Sequence, residues 1–131
     1  MTVPASVLDA SALLAYLQRE PGAADVEPLI ERARISAVNW SELVQKSLVR
    51  GVAVDRVERR LLALGLLIEP FTAADAALAA ELWSITRAAG LSLADRACLA
   101  LARRLGVTAM TTDGAWALIA GTAGVTVGVI R

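Results

Sequence analysis

VPASVLDAS, residues 3–11, holds the first apolar run of the chain and ends that run on an acid. The apolar part, 3–8, has the length and composition of a buried strand. An alanine-rich helical pattern follows over 11–18 and stops at Pro21-Gly22. A short buried strand followed at once by a helix is the unit from which parallel sheets are built.

The same unit recurs along the rest of the chain. Further short apolar runs lie at 35–38, 66–68, 107–111 and 125–130. Helices are predicted between them, over 26–32, 39–50, 54–64, 72–89, 92–105 and 114–120. We therefore predict an α/β fold of three layers, with a central parallel sheet of about five strands covered by helices on both faces. No linker or repeat divides residues 1–131, so one domain is expected.

Composition limits the class of protein. Hydrophobic residues make up 56% of the chain and its mean hydropathy is +0.58, but the longest uncharged window, 114–130, is broken by glycines and falls short of the roughly 20 apolar residues of a membrane span. With no secretory signal and Cys98 as the single cysteine, we expect a cytoplasmic protein without disulfides. Such apolarity also predicts a dimer or partner interface.

Charge gives no general sign of a nucleic-acid partner. Thirteen Lys and Arg balance thirteen Asp and Glu, so no overall basic field exists. Lys46 is nevertheless the only lysine, and the guanidinium groups that carry the remaining positive charge bind phosphates in a bidentate manner. Local phosphate binding therefore stays open.

Four acids fall at one predicted edge of the sheet. Asp9 and Asp113 follow the first and fourth strands. Glu42 lies in the first turn of the helix after the second strand, and Asp95 in the first turn of the helix before the fourth. Ligands of open parallel sheets bind at the carboxyl edge, especially where strand order reverses. We expect the four carboxylates to meet there.

A purely structural interpretation is available for each acid alone. Asn39-x-x-Glu42 and Ser92-x-x-Asp95 resemble capping boxes, and Asp9 and Asp113 are suitable N-caps. Thr72-x-x-Asp75 has the same spacing, and we interpret Asp75 as a cap only. It serves as an internal control for the other acids.

The joint pattern favours a metal site. Four carboxylates at one edge repel and raise one another's pKa unless a cation neutralises them. The chain has no histidine, which excludes the usual zinc sites and points to Mg²⁺ or Mn²⁺. Such ions activate water and orient phosphate oxygens, so phosphodiester hydrolysis is the predicted chemistry. Ser11 and Thr112 adjoin the acids, and their hydroxyls either support this site or bond to the local backbone.

Four segments carry a resemblance to a known family. They are 7–15 (VLDASALLA), 36–42 (SAVNWSE), 91–100 (LSLADRACLA) and 111–113 (TTD). In order and spacing they resemble the motifs of PIN-domain nucleases and, more narrowly, of the VapC toxins of type II toxin-antitoxin systems. The resemblance covers nearly the whole chain.

The resemblance implies a PIN-like fold, Mg²⁺ or Mn²⁺ as cofactor, and endonucleolytic cleavage of RNA, often tRNA or rRNA. It also implies a homodimer and a cognate VapB-like antitoxin. Asp9, Glu42, Asp95 and Asp113 take the roles of catalytic, metal-binding acids, with Ser11 and Thr112 in support. Gly114 departs from the basic residue that many relatives carry after the last motif aspartate.

Other proteins built on similar sheets carry different residues at this edge. A haloacid-dehalogenase-like phosphatase needs a second Asp where Ser11 stands, and a dinucleotide-binding enzyme needs a glycine-rich turn there. A receiver domain needs a lysine at a strand end, but Lys46 lies within a predicted helix. A catalytically silent PIN-like binding module remains the alternative to a nuclease.

Overall fold

Five short parallel strands form the centre of the fold, in a computed structural model that describes residues 3–130. The strands are β1 (Ser6–Leu8), β2 (Ala33–Ser36), β3 (Leu67–Glu69), β4 (Thr108–Thr111) and β5 (Val127–Val129). Their order is β3-β2-β1-β4-β5, and neighbours pair in parallel throughout. The predicted five-stranded parallel sheet is confirmed.

Strand order reverses at β1. The chain first builds the sheet outward through β2 and β3, and later returns to the other side of β1 to add β4 and β5. The carboxyl ends of β1 and β4 therefore flank the switch point at which open α/β sheets bind ligands.

Helices make up most of the connections. The α-helices are α1 (Ala10–Leu17), α2 (Ala23–Val26), α3 (Ala37–Val49), α4 (Val54–Ala63), α5 (Ala73–Glu81), α6 (Trp83–Thr86), α7 (Leu93–Leu105) and α8 (Ala120–Ala123). Short 3₁₀ helices cover Glu27–Arg32, Arg87–Ala89 and Gly114–Leu118. Within residues 3–130, no helix is both long and apolar enough to cross a membrane.

Alternation along the strands produces two cores, one on each face of the sheet. Val7 packs with residues of α7 such as Leu99, while the next residue, Leu8, packs with α1 and α3 through residues such as Leu13 and Leu43. Successive side chains of a strand point to opposite faces, so the same three-residue strand anchors both cores. The predicted three-layer α/β/α sandwich is confirmed.

Several predicted boundaries are wrong. The strand predicted at 35–38 is β2, which ends at Ser36 because the Ser36 side chain accepts a hydrogen bond from Val38 N (3.2 Å) and starts α3. Glu42 consequently lies in the second turn of its helix and not in the first. The strands predicted at 3–8 and 125–130 are also shorter than expected.

Three predicted helices are not continuous α-helices. The helix predicted over 72–89 is divided into α5, α6 and a 3₁₀ turn; Thr86 there donates its hydroxyl to Leu82 O (2.8 Å), and such bonds compete with regular helix geometry. The helix predicted at 26–32 is mostly 3₁₀ and contains Pro28, which has no N–H to donate. The helix predicted at 114–120 is 3₁₀ up to Leu118.

Candidate active site

Asp9 is the most buried acid of the predicted set, with 5% of its surface exposed. It directly follows β1 and N-caps α1, where its Oδ1 accepts hydrogen bonds from Ala12 N (2.9 Å) and Ser11 Oγ (2.7 Å). The cap interpretation made from sequence is therefore correct for Oδ1. The cap does not use the second carboxylate oxygen, Oδ2.

Oδ2 of Asp9 is held by Thr111, which lies at the end of β4. The fully buried Thr111 hydroxyl donates to Asp9 Oδ2 (2.6 Å) and accepts from the backbone N–H of Asp113 (3.1 Å). One hydroxyl thus connects the end of β1 to the loop that carries Asp113. Because Asp9 and Thr111 are 102 residues apart in sequence, only the fold brings them together.

Ser11 and Thr112 complete this hydrogen-bonded group in different ways. The Ser11 hydroxyl donates to Asp9 and accepts from the backbone N–H of Thr112 (3.1 Å). Thr112 therefore takes part through its main chain, and the side chain that bonds the carboxylate is that of its neighbour Thr111. Sequence reasoning missed Thr111, although it lies within the TTD motif.

Burial changes the acidity of Asp9. Removal from solvent raises its pKa from 3.8 to about 6, and the nearby charge of Asp95 adds to the rise, while hydrogen bonds from Thr111, Ala12 and Ser11 oppose it. The ionised form of Asp9, with no cation to neutralise it, is therefore unfavourable at this position. A bound cation would remove that cost.

Asp95 lies near Asp9 but is also a structural residue. It is the third residue of α7, and its Oδ2 accepts from Ser92 N (2.9 Å) while Ser92 Oγ accepts from Asp95 N (3.2 Å). This is the capping box that its spacing predicted. The cap occupies Oδ2, and the charge of Asp95 still acts on Asp9.

Glu42 reaches the same region from α3. Asn39 of that helix donates from Nδ2 to Ala94 O (3.0 Å), which ties α3 to the first turn of α7. The pKa of the fully buried Cys98 thiol is raised well above its usual value, first by burial and then by the charges of Asp9, Asp95 and Glu42. The charges of three of the predicted acids therefore all act at one thiol.

The cap interpretation of Glu42 is wrong. Ser36, not Asn39, is the N-cap of α3. The Glu42 carboxylate is 3.9 Å from Lys46 Nζ, one turn further along the same helix, and both side chains are partly exposed. Glu42 therefore has no capping role at the start of α3.

Asp113 is more exposed than the other acids. It N-caps the 3₁₀ helix Gly114–Leu118, with Oδ1 accepting from Ala115 N (2.9 Å). Its connection to Asp9 runs through its own backbone N–H and the Thr111 hydroxyl. Asp113 is therefore joined to Asp9 through one shared hydroxyl.

The donor set fits a hard divalent cation in its chemistry. Within residues 3–130, no group of three or more His, Cys, Asp or Glu side chains is already arranged to hold a metal ion. The available ligands are nevertheless carboxylate oxygens, and an ionised carboxylate has about four acceptor positions, of which Asp9 uses three. Oxygen ligands of this kind suit Mg²⁺ and Mn²⁺.

Asp75, the internal control, has the predicted cap and a second contact. It forms a capping box with Thr72 at the start of α5, and it also binds Arg104 (2.8 Å from Nε to Oδ1, 3.2 Å from Nη2 to Oδ2). Burial favours the neutral form of Asp75 and so raises its pKa. The hydrogen bonds and charge of Arg104, together with the hydrogen bonds to Thr72, outweigh burial and hold the pKa of Asp75 below 3.8. Asp75 is thus already neutralised, whereas Asp9 is not.

Comparisons with known proteins agree with this fold. The family model described as PIN domain matches residues 6–121, while no curated protein matches the sequence. FitAcB from Neisseria gonorrhoeae is similar at TM-score 0.67 and 25% identity, over 93% of this chain and 95% of that one. VapBC2 from Rickettsia felis bound to a promoter DNA fragment gives TM-score 0.71, 17% identity and coverages of 96% and 98%.

A third similar structure is VapBC-5 from Mycobacterium tuberculosis, described as a member of the VapBC family of toxin-antitoxin systems. Its TM-score is 0.57 and its identity 21%, over 98% of this chain and 99% of that chain. At these identities the Rickettsia and Mycobacterium structures support the fold.

Proposed function

Because this chain belongs to the PIN domain family, we propose that it is a metal-dependent endoribonuclease, the toxin of a type II toxin-antitoxin pair. The domain would span the whole chain and cleave RNA, with tRNA or rRNA as the expected substrate. The observation that carries the proposal is the buried, uncompensated Asp9 at the switch point, bonded to Thr111 and close to the charge of Asp95.

Asp9, Glu42, Asp95 and Asp113 would hold Mg²⁺ or Mn²⁺. When bound, such a cation stabilises charge on phosphate oxygens and lowers the pKa of water. The chain's own part is positioning. Ser11 and Thr111 fix the two oxygens of Asp9, so that the carboxylate keeps one orientation, and the burial of Asp9 excludes bulk water from that side of the site.

The proposal includes partners. Similar structures described as VapBC complexes and toxin-antitoxin systems support a cognate VapB-like antitoxin for this chain, which would act in the cytoplasm. Large apolar side chains on the surface, among them Leu93 (56% exposed) and Leu118 (81% exposed), support a homodimer or partner interface.

The test of the proposed function is cleavage by purified variants. Asp9→Asn, Asp95→Asn and Asp113→Asn should each abolish cleavage of RNA in Mg²⁺ or Mn²⁺, and should abolish growth inhibition on expression, while circular dichroism shows an unchanged fold. Sequencing of RNA 5′ ends after expression of the unaltered chain and of Asp9→Asn would identify the target. Full activity in any one variant contradicts the role of that acid.

A catalytically silent PIN-like binding module is the second candidate. One observation favours it: within residues 3–130 no three carboxylates form a ready ligand set. The two functions give different results with the unaltered chain. A binding module binds RNA and leaves it intact in Mg²⁺ and in Mn²⁺, whereas a nuclease cuts it.

A further inference from the structure

Two adjoining clefts lead away from the candidate active site between α1, α3 and α4. The first, of about 370 Å³, begins at Ser11 and Thr112. The second, of about 400 Å³, extends to Arg60 of α4. Leu14, Gln18 and Arg50 line both clefts, so the two form one continuous surface, called here the basic groove.

The basic groove is strongly positive on a chain with no net charge. Four cations line it, namely Lys46, Arg50, Arg56 and Arg60, against one acid, Glu20. Within residues 3–130, Arg50 and Arg56 take part in no salt bridge, and the Lys46 contact with Glu42 is long at 3.9 Å. Their charges remain available for an anionic partner.

Arg60 is held in place before any partner arrives. Its Nη2 donates to the Tyr16 hydroxyl (3.1 Å), and its guanidinium carbon lies 5.4 Å from the centre of the Tyr16 ring. A guanidinium fixed over an aromatic ring keeps a planar set of donors on its other edges. Such a group suits a phosphate.

Apolar side chains line the basic groove together with these cations. They include Leu14, Leu17, Val52 and Val57. A partner that fills the groove therefore needs both anionic groups and apolar surfaces. Single-stranded nucleic acid has this combination of phosphates and bases, and proteins bind it with positively charged grooves that also contact the bases.

We propose that the basic groove binds the single-stranded RNA segment next to the scissile phosphate, with Arg50, Arg56 and Arg60 contacting successive phosphates. The inference rests on the proposed function, which supplies RNA as the substrate. It adds the path that the RNA strand follows away from the four acids. An antitoxin peptide could also cover the apolar side chains. The excess of four cations over one acid favours the polyanion.

The experiment measures RNA binding by fluorescence anisotropy, with a labelled single-stranded RNA oligonucleotide of mixed sequence. Asp9→Asn serves as the background to prevent cleavage, and the unaltered chain in EDTA repeats the titration in case Asp9→Asn folds poorly. Arg56→Gln and Arg60→Gln are compared with Arg87→Gln. Arg87 is the matched control because it lies 5.1 Å from the centre of the Trp83 ring and is outside the groove.

Each groove variant should raise Kd about fivefold at 0.1 M salt and lower the slope of log Kd against log salt by about 0.7, the effect of one phosphate contact on single strands. Arg87→Gln should change neither value. Groove variants that bind RNA as tightly as their background overturn the inference and leave the proposed function standing.

Two further outcomes separate the inference from its alternatives. Groove variants with unchanged RNA binding that escape inhibition by the coexpressed antitoxin would assign the groove to the antitoxin instead. Failure of the unaltered chain both to bind and to cleave RNA in Mg²⁺ or Mn²⁺ would overturn the proposed function, and the inference with it. Groove-dependent binding without cleavage would support the inference and contradict the nuclease alone.

Discussion

At the scale of single residues, Asp9 combines good hydrogen bonding with an unfavourable charge. Its oxygens accept three hydrogen bonds, yet burial and the charge of Asp95 raise its pKa to about 6. A structural carboxylate such as Asp75 has the opposite shift, because an arginine neutralises it. The two shifts have opposite signs because Arg104 neutralises the charge of Asp75, whereas burial dominates at Asp9.

The first prediction concerns stability against pH in the metal-free protein. The folded pKa of Asp9 lies above 3.8, so between about pH 4 and 6 the folded state binds the extra proton, and the free energy of unfolding falls as pH rises, by up to about 3 kcal/mol. Urea denaturation in EDTA at pH 4.5, 5.5 and 7 measures this loss. Asp9→Asn should remove it, and an identical pH profile in that variant would contradict the assignment.

The second prediction separates the two adjacent threonines of the TTD motif. Thr111→Val removes the hydroxyl that fixes Asp9 Oδ2 and should lower cleavage by about 10- to 100-fold, the usual effect of losing a group that orients a metal ligand. Thr112→Val should change cleavage little, since Thr112 contributes its backbone N–H. Thr111→Ser, which restores a hydroxyl, should recover activity. Equal losses in both valine variants would show that Thr111 has no special role.

The sequence could not distinguish these threonines. The alternation of side chains along a strand predicts that Thr111 and Thr112 point in opposite directions. Which of the two faces Asp9 depends on the register of β1 with β4. Leu8 pairs with Met110, which brings Thr111 opposite Asp9. Register depends on contacts between residues about 100 positions apart, and a local pattern does not contain it.

At the scale of elements, Asp75 allows a third prediction. Asp75→Ala removes the capping box of α5 and leaves the partner Arg104 without its carboxylate. We expect a loss of about 2 to 4 kcal/mol in the free energy of unfolding, seen as a lower melting temperature, with RNA cleavage retained.

The matched control for that prediction is Asp55→Ala. Asp55 also lies in the first turn of a helix, α4, but it is exposed and makes no capping hydrogen bond there, so its removal should leave the melting temperature almost unchanged. A stable but inactive Asp75→Ala variant would place Asp75 in the active site.

Element types were predictable from local pattern, and several boundaries were not. The helix α7 ends at Gly106, with φ +68°, as its glycine predicted. The start of α3 was missed because Ser36 satisfies both the strand pattern and the cap, and only its bond to Val38 N decides between them. The pattern over 72–89 is helical throughout, so the break after α5 reflects packing and side-chain bonds such as that of Thr86.

At the scale of the whole molecule, the fourth prediction concerns metal binding. If the chain has the proposed function, Mg²⁺ or Mn²⁺ should bind its folded state and raise the melting temperature, by the equivalent of about 2.7 kcal/mol at 100 times Kd. The rise should be larger at pH 7 than at pH 5, because protons compete for Asp9 below its pKa of about 6. Asp9→Asn should reduce the rise at both values. A rise independent of pH would contradict metal binding at Asp9.

The layered architecture was predictable as a whole, since strands alternating with helices leave few other arrangements. The positions of Asp9 and Asp113 just after β1 and β4 were predictable for the same reason, because parallel strands end at the same edge. The strand order and the distances between the acids depend on which strands pair, which the alternation of elements does not specify.

The central position of β1 also determines at what stage of synthesis the site can form. A chain still on the ribosome with α7 completed already contains Asp9, Glu42 and Asp95, but it lacks β4 and therefore the Thr111 hydroxyl, 102 residues from Asp9. Until β4 has been translated and inserted beside β1, the switch point is an open sheet edge. The hydrogen-bonded group around Asp9 can therefore form only after β4 has joined the sheet beside β1.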